Sequence, residues 1–471
     1  MNATGFYPRV RVDAAPVAAA GSAGGVLLTQ TVRAAGLDVA LSQALARWRS
    51  PLAVHDPAKV LTDLAVALVL GGDCLADAAL LRGEPELFGS VASEATVSRA
   101  VAALGVDADK VLAQIARARK QARAAVWAAA GERAPTHQIS AAAPLVIDLD
   151  ATLTTAHSEK DQAAPTFKRG FGFHPLCAFV DHGAEGTGEL LAMSLRAGNA
   201  GSNTAVDHIE VTRAALAAVP GINPSRPGRK VLIRTDGGGG TKDYVTWLAG
   251  RGVSYSIGWT LPWAHMQGIY AQIPPAAWTA ALNGDGQARD GADVADITDL
   301  LAAGGHLGGW PARMRVIVRR ERPHPGAGVS QGRLDDAGGY RLTAFVTNTT
   351  TGQLQDLELR HRRRARCEDR IRAAKDTGLR SLPLKNFGAN RIWCAIVALA
   401  SDLTAWTQML AFATTAARRW EPKRLRTRLL HVPATLARHA RTLILHVKDT
   451  HPWAEVLTAG HQRLTALPAP T

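Results

Sequence analysis

Short apolar segments of strand length, separated by helical segments, constrain the fold of residues 144–257 more than any other feature of the chain. Three such segments come first, and helices then alternate with two further buried strands. The predicted strands are 144–155, 175–180, 189–195, 230–235 and 253–257, and the predicted helices are 203–219 and 242–249. The order βββαβαβ, with a meander at its start, predicts an α/β domain with one mixed sheet flanked by helices.

A helical domain is predicted before this sheet. Residues 1–140 contain long stretches rich in Ala and Leu whose apolar side chains recur at helical spacing. Within them, the segment 93–101 begins with Ser93, a residue type that caps helices, and is typical of the second helix of a helix–turn–helix. An ordinary capped surface helix explains the segment equally well. We therefore predict a helical N-terminal domain that binds DNA.

The remaining chain divides by composition. Residues 141–258 form the first part of the sheet domain. Residues 259–339, rich in Gly, Pro, Trp and Arg, are predicted to be a β-rich insertion, and residues 340–430 the second part of the sheet domain. This second part contains a strand, a strongly basic helix and a long apolar helix. Residues 431–471 are predicted to be a basic helical tail.

The charge of the chain indicates a polyanionic partner. Lys and Arg number 54 against 40 Asp and Glu, which gives a formal net charge of +14. Nucleic acid is the first such partner to consider, and an anionic membrane surface the second. The four cysteines are far apart, so no disulfide framework or cysteine zinc site is indicated, and a reducing cytoplasm fits. Neither a signal peptide nor a membrane span is predicted, because charged residues interrupt the longest apolar stretches.

Acidic residues lie where two predicted strands end. Asp148 and Asp150 are two residues apart in an apolar strand, so their side chains share one face, and burying both is costly without a cation. Asp236 follows another buried strand and opens into four glycines, which let a phosphate approach the backbone closely. Such placement is typical of α/β active sites.

A third candidate element is the basic helix. His361, Arg364, Glu368 and Lys375 are spaced by three, four and seven residues, which places them on one helical face, and Arg372 joins that face. A solvated helix with ordinary ion pairs is the alternative interpretation. Combined with the aspartates, however, the helix would complete a set of three acids on separate elements.

Three carboxylates on one domain favour a two-metal site. Mg²⁺ prefers carboxylate and phosphate oxygen, and Mn²⁺ is expected to substitute for it. Two such ions at Asp150, Asp236 and Glu368 would activate a water or a 3′-hydroxyl and stabilise the leaving oxygen of a phosphodiester. Arg364 and Lys375 would neutralise the DNA phosphates there.

Other motifs give weaker signals. The glycine-rich run 237–242 does not fit the phosphate-loop pattern, and no histidine motif for zinc is present. Lys168 and Arg169 fall in a predicted hairpin before the second strand. They could hold DNA near the acids, although a plain solvated turn is an equal alternative.

The sequence resembles bacterial DDE transposases, and among them insertion-sequence family 1380, over nearly the whole chain. The resemblance rests on IDLDAT (147–152), FKRGFGFHPL (167–176), IRTDGG (233–238) and the helix of Glu368. The related insertion-sequence 4 group carries Tyr-x2-Arg-x3-Glu-x6-Lys around its catalytic glutamate. Here Arg364, Glu368 and Lys375 match that signature, while His361 stands in place of the tyrosine.

The resemblance implies a ribonuclease-H-like fold with a β-rich insertion between the second and third acids. It makes Asp150 the first catalytic acid, with Asp148 in reserve. It further implies binding of the element's terminal inverted repeats and target DNA, cleavage and strand transfer, a homodimer on paired ends, and a bacterial cytoplasmic location at the nucleoid. A catalytically silent DNA-binding protein of the same fold is the alternative, and a metal-dependent nuclease without strand transfer is a third possibility.

Overall fold

A computed structural model of the chain describes residues 18–184, 186–261, 265–322, 336–440 and 442–468. The helices are α1 (Gly25–Ala34), α2 (Leu37–Leu45), α3 (Pro57–Val69), α4 (Ala78–Arg82), α5 (Pro85–Phe88), α6 (Glu94–Val106), α7 (Ala108–Ala130), α8 (Ala205–Ala218), α9 (Lys242–Gly250), α10 (Met266–Gln272), α11 (Thr298–Ala303), α12 (Leu354–Arg362), α13 (Arg366–Ala374), α14 (Phe387–Ala411), α15 (Pro422–Leu425) and α16 (Ala454–Thr465). The strands are β1 (Ala19–Ala20), β2 (Leu145–Ala151), β3 (Thr154–Thr155), β4 (Ala164–Pro165), β5 (Phe171–Phe173), β6 (Leu176–Val180), β7 (Glu189–Ser194), β8 (Val231–Thr235), β9 (Ser254–Trp259), β10 (Thr279–Leu282), β11 (Ala288–Asp296), β12 (Arg315–Glu321), β13 (Asp336–Ala337), β14 (Tyr340–Thr347), β15 (Ala434–His439) and β16 (Thr442–Val447).

A large mixed sheet organises the fold. Nine of its ten strands follow the order β10-β11-β12-β14-β9-β8-β2-β6-β7, and β13 pairs with β14. Strands β2, β8 and β9 run parallel, whereas their neighbours are antiparallel. The predicted α/β class, the order βββαβαβ and the initial meander are therefore confirmed. Because β2 and β8 are parallel neighbours, the residues that follow them meet at one edge of the sheet.

The prediction of an insertion needs one correction. Its strands β10, β11 and β12 do not fold apart from the main sheet but extend it, because β12 pairs with β14 along seven residues from Arg315 to Glu321. The backbone N–H and C=O groups of β12 would be unpaired at the edge of a separate unit, and they are instead paired within the main sheet. Residues 323–335 of the predicted insertion lie outside the described residues.

Helix α14 is the centre of the hydrophobic core. It packs against α1, α3, α6 and α7 from the N-terminal part, against β7, and against α16. Its Trp393 and Trp406 are completely buried. The main cluster of buried apolar side chains extends from Leu27 to Leu464 without a break, so the N-terminal helices share their core with the sheet. Helix α14 is long and apolar enough to cross a membrane, yet 89% of its most apolar window is buried inside the protein.

Two further predictions need correction. The basic helix is broken by a turn of 3-10 helix at Arg363–Ala365 into α12 and α13. The predicted helical tail begins instead with a hairpin, β15 and β16, that pairs with β1, and only α16 is helical. The side chains of β16 alternate between exposed and partly buried, which is the period of a strand. In the N-terminal part, Ser93 accepts a hydrogen bond from the backbone of Thr96 and caps α6 as predicted.

Candidate active site

The first two acids meet at the carboxyl ends of β2 and β8. Leu149 of β2 is the register partner of Thr235 in β8, so Asp150 and Asp236 each come one residue later. The Asp150 carboxylate accepts a hydrogen bond from the backbone N–H of Ala151 at 2.8 Å. Asp236 caps the glycine turn after β8 by accepting one from Gly238 at 3.0 Å.

A glycine on β9 allows the chain to approach Asp236 this closely. A Cβ atom placed on Gly258 would lie 2.6 Å from the backbone carbon of Asp236 and 2.6 Å from the backbone nitrogen of Gly237. Real Cβ atoms do not tolerate such distances to backbone. Gly258 was not predicted as a site residue, and the close approach between strands is visible only in three dimensions.

The third acid comes from α13, which packs over β2. Burial raises the pKa of Asp150 to about 6, and the negative charges of Asp236 and Glu368 add to this rise, while the positive charge of Arg364 opposes it. The charges of Asp236, Glu368 and Arg364 therefore all act on the carboxyl group of Asp150. Within the described ranges, no carboxylate lies within 4.0 Å of the Arg364 guanidinium, so its charge remains available to an anionic ligand.

The donor set fits divalent cations that prefer oxygen. Three carboxylates supply only oxygen ligands, and their mutual repulsion, visible at Asp150, is relieved by a bound cation. In the part of the chain that the structure describes, these acids do not form a group whose ligand atoms all lie within 4.8 Å of one another, whereas the carboxylate oxygens of Asp73 and Asp77 and the Sγ of Cys74 do. The Asp77 carboxylate in that other group already accepts two backbone hydrogen bonds.

Asp148 differs sharply from Asp150. Its carboxylate is completely buried and is held by Arg234, at 2.6 and 2.8 Å, and by Arg370 at 2.7 Å. Both arginines also bind Asp181, at 2.9 and 2.6 Å. We call these four side chains the buried charge network. Because Asp148 already has two cationic partners, it has little capacity left for a metal ion.

His361 does not join the predicted stripe. Its ring stacks on Phe345 with centroids 4.4 Å apart, and its Nδ1 lies 2.9 Å from the hydroxyl of Ser256. Burial, aided by the charges of Arg364 and Arg234, lowers the pKa of His361 to about 3, so the ring is neutral near pH 7. These protein contacts do not fit the predicted DNA contact of His361. The break between α12 and α13 explains the difference, because helical spacing does not carry across it.

The other predicted basic residues fall into two groups. Lys168 and Arg169 occupy the exposed tip of the hairpin between β4 and β5, as predicted. Burial, Arg380 and Lys168 lower the pKa of Lys375, so the hairpin tip and Lys375 are within electrostatic reach. Arg372 is exposed and forms an ion pair with Asp369 on the same helix.

The buried charge network was not predicted from the sequence. One signal was available in the strand 230–235, where Arg234 interrupts an otherwise apolar run. A fully buried guanidinium needs a carboxylate partner, and Asp148 on the neighbouring strand is the nearest candidate. Arg370 carried no comparable signal, since it is one of many arginines on a basic helix.

Similar proteins are found both among solved structures and among protein families. A solved structure, the cryo-EM structure of a piggyBac transposase synaptic complex with hairpin DNA, is similar with a TM-score of 0.44 and 8% identity, covering 87% of this chain and 79% of that chain. No curated protein sequence matches. The profile of the family described as transposase DDE domain group 1 matches residues 2–469. That match covers nearly the entire sequence, and the chain therefore belongs to the DDE transposase family.

Proposed function

We propose that the protein is a DNA transposase that binds the terminal inverted repeats of its own insertion sequence, cuts the DNA at the element ends and joins them to target DNA. Family membership gives the general class, DNA cleavage and strand transfer. The observation that supports the catalytic assignment is geometric: Asp150 and Asp236 lie one residue after the register partners Leu149 and Thr235 on parallel strands, and α13, which carries Glu368, packs on β2.

In this proposal the three acids hold two divalent cations, Mg²⁺ or Mn²⁺. When bound, such ions polarise the phosphodiester, lower the pKa of an attacking water or 3′-hydroxyl and stabilise the leaving oxygen. Asp236 is oriented for this task by its hydrogen bond from Gly238, and Asp150 by its bond from Ala151. Glu368 reaches the site from the helix that the buried charge network fixes against β2.

Basic residues around the acids are proposed to hold the DNA. Arg364 faces Asp150 without a carboxylate partner of its own in the described part of the chain, and would bind a phosphate beside the scissile bond. Lys375, with Lys168 and Arg169 on the hairpin, would bind phosphates on the other side. Arg372 is a weaker candidate, because Asp369 already neutralises it.

Recognition of the terminal repeats is proposed for α6. Its buried face, including Val97 and Val101, packs inward, while Ser98 and Arg99 are exposed at its N-terminal half. A capped helix with exposed polar residues near its start suits insertion into the major groove. We further infer a ribonuclease-H-like catalytic core, membership of insertion-sequence family 1380, a homodimer on paired ends, and action on the bacterial nucleoid in the cytoplasm.

The test is Mg²⁺-dependent cleavage by the purified full-length protein of a plasmid that carries the gene with its native flanking DNA. We expect cuts at the element ends with wild type, and a loss of at least a hundredfold in Asp236→Asn and Glu368→Gln. Asp369→Asn is the matched control, because Asp369 is an exposed carboxylate next to Glu368 on the same helix. It should cleave like wild type.

Other outcomes would assign other functions. Specific binding of the ends without cleavage in Mg²⁺ or Mn²⁺ would replace the proposal with a catalytically silent DNA-binding protein. Cleavage without joined products would indicate a metal-dependent nuclease. Equal loss of activity in Asp369→Asn and Glu368→Gln would contradict the assignment of Glu368.

A further inference from the structure

A second basic region lies on the side of α13 away from the acids. We call it the basic groove: the cavity of about 770 Å³ between α13 and the segment 419–428. Cationic side chains along it outnumber carboxylates by seven to three, with three of the cations on α13 and four on the segment. An excess of this kind favours a polyanionic ligand.

Arg424 and Arg428 differ from the other cations of the groove in their ion pairing. Asp376 is shared by Arg380 at 3.0 Å and Lys423 at 3.3 Å, so this carboxylate of the groove is already neutralised. Arg424 and Arg428 have no carboxylate within 4.0 Å among the residues that the structure describes. Their positive charges therefore dominate the field at this end of the groove.

Both arginines are held by an aromatic ring instead of an acid. The guanidinium carbons of Arg424 and Arg428 lie 5.3 and 5.1 Å from the ring centroid of Trp420, and Arg428 also lies 5.0 Å from that of Trp453. Stacking fixes a guanidinium without consuming its N–H donors, which suit the oxygens of a phosphate. Trp420 itself is only 6% exposed, so it cannot offer its face to a nucleic-acid base.

The groove is also coupled to the proposed catalytic site through α13. Arg366 and Ala373 of this helix line the groove, whereas Glu368 of the same helix acts on Asp150. The two regions thus lie on opposite sides of one helix, whose diameter with side chains is about 10–12 Å. A duplex held at the acids would extend within reach of the groove.

We propose that the basic groove binds the phosphate backbone of double-stranded DNA beyond the cleavage point, through Arg424 and Arg428, as a second anchor that does not read sequence. This inference rests on the proposed function for the presence of DNA at the acids. The buried state of Trp420, on which both arginines stack, favours backbone contacts over stacking on single strands.

The experiment measures duplex binding by fluorescence anisotropy between 50 and 200 mM salt, using the full-length protein without divalent cations. One probe carries an element end and the other has a random sequence. Because each neutralised phosphate contributes about 0.9 to the slope of log affinity against log salt, the double variant Arg424→Gln/Arg428→Gln should lower the slope by about 1.8 on both probes. The charge-preserving double variant Arg424→Lys/Arg428→Lys should recover most of the lost slope.

The matched control is Arg213→Gln, because Arg213 is another exposed arginine over a tryptophan ring, Trp247, and lies outside the groove. It should leave the slope unchanged. An unchanged slope in the Gln double variant, or a loss confined to the element-end probe, would overturn the proposal. If wild type binds duplexes through these arginines but never cuts DNA, the groove proposal is supported and the proposed function is contradicted. If wild type cuts the element ends but the Gln double variant has an unchanged slope, the proposed function is supported and the groove proposal is contradicted.

Discussion

Nη1 of Arg370 lies 2.7 Å from Oδ2 of Asp148, and this buried ion pair joins α13 to the central strand β2. Glu368 and Arg364 precede Arg370 on the helical side, while Asp150 follows Asp148 on the strand, so the helix runs against the direction of the strand. The pair therefore sets the register that brings Glu368 to Asp150. A residue without any proposed role in catalysis thus determines where a proposed metal ligand lies.

Arg370→Gln should destabilise the protein by about 3–5 kcal/mol, because it leaves Asp148 and Asp181 with one buried cationic partner fewer. Urea denaturation followed by circular dichroism measures the free energy of unfolding. The control Arg372→Gln removes an exposed pair on the same helix and should cost about 0–1 kcal/mol. Equal effects of the two variants would contradict a structural role for the buried charge network.

The raised pKa of Asp150 predicts how the metal-free protein responds to pH. An acid whose pKa is about 6 in the folded state, against 3.8 in the unfolded state, favours folding at low pH and loses this contribution as pH rises through 6. Asp150→Asn should therefore raise the melting temperature in EDTA at pH 7.5 but not at pH 4. If wild type had a higher melting temperature than Asp150→Asn in EDTA at pH 7.5, the proposed repulsion among the three acids would be contradicted.

Divalent cations should reverse this difference. Since a cation binds the ionised carboxylate, Mg²⁺ or Mn²⁺ should raise the melting temperature of wild type at pH 7.5, with a much smaller shift at pH 5. The shift should be absent in Asp150→Asn and retained in Asp369→Asn. Calorimetric titration with Mn²⁺ gives an independent readout that does not depend on cleavage, and identical binding to both variants would exclude Asp150 as a ligand.

His361→Phe tests the inward orientation of this ring. A histidine whose pKa falls from 6.5 to about 3 on folding stabilises the protein above pH 6.5, and this contribution is lost as pH falls toward 3. Phenylalanine keeps the stack on Phe345, loses the bond to Ser256 and does not titrate. The variant should be less stable than wild type at pH 7.5, with a gap that narrows by pH 4.5, and should bind duplex DNA unchanged. Weakened DNA binding without a change in stability would restore the predicted DNA contact.

Gly258→Ala should displace the backbone at Asp236, because the new methyl group would meet that backbone at 2.6 Å. We expect at least tenfold lower cleavage and a lower melting temperature. Gly268→Ala is the control, since the space around that helical glycine is open. Alanine there should leave cleavage unchanged and stabilise α10 by up to about 1 kcal/mol. Normal cleavage by Gly258→Ala would show that the strand can move without disturbing the site.

Local patterns were sufficient for most elements of the sheet domain. Apolar runs of strand length located β2, β6, β7, β8 and β9, and acids at the carboxyl ends of two parallel strands gave Asp150 and Asp236 as candidates. Such patterns cannot distinguish Asp148 from Asp150, because residues two apart in a strand point to the same face of the sheet. The distinction depends on Arg370, which is 222 residues from Asp148 in sequence and forms an ion pair with Asp148 but not with Asp150.

Longer-range features were predicted less well. A continuous helix was assumed around Glu368, but the turn at Arg363–Ala365 rotates His361 away from the stripe. The insertion was separated by composition, although composition does not report which edge a strand pairs with. The hairpin of β15 and β16 was hidden by basic residues that suggested a helix.

The arrangement around α14 has a consequence for shortened forms of the protein. Helices from the N-terminal part cover one side of α14, and the sheet and α16 cover others. A fragment that ends before residue 387 would lack the helix on which its own apolar faces depend, and a fragment that begins after residue 140 would expose that helix to water. A truncated form of the chain should therefore aggregate or be degraded instead of persisting as a folded DNA-binding fragment.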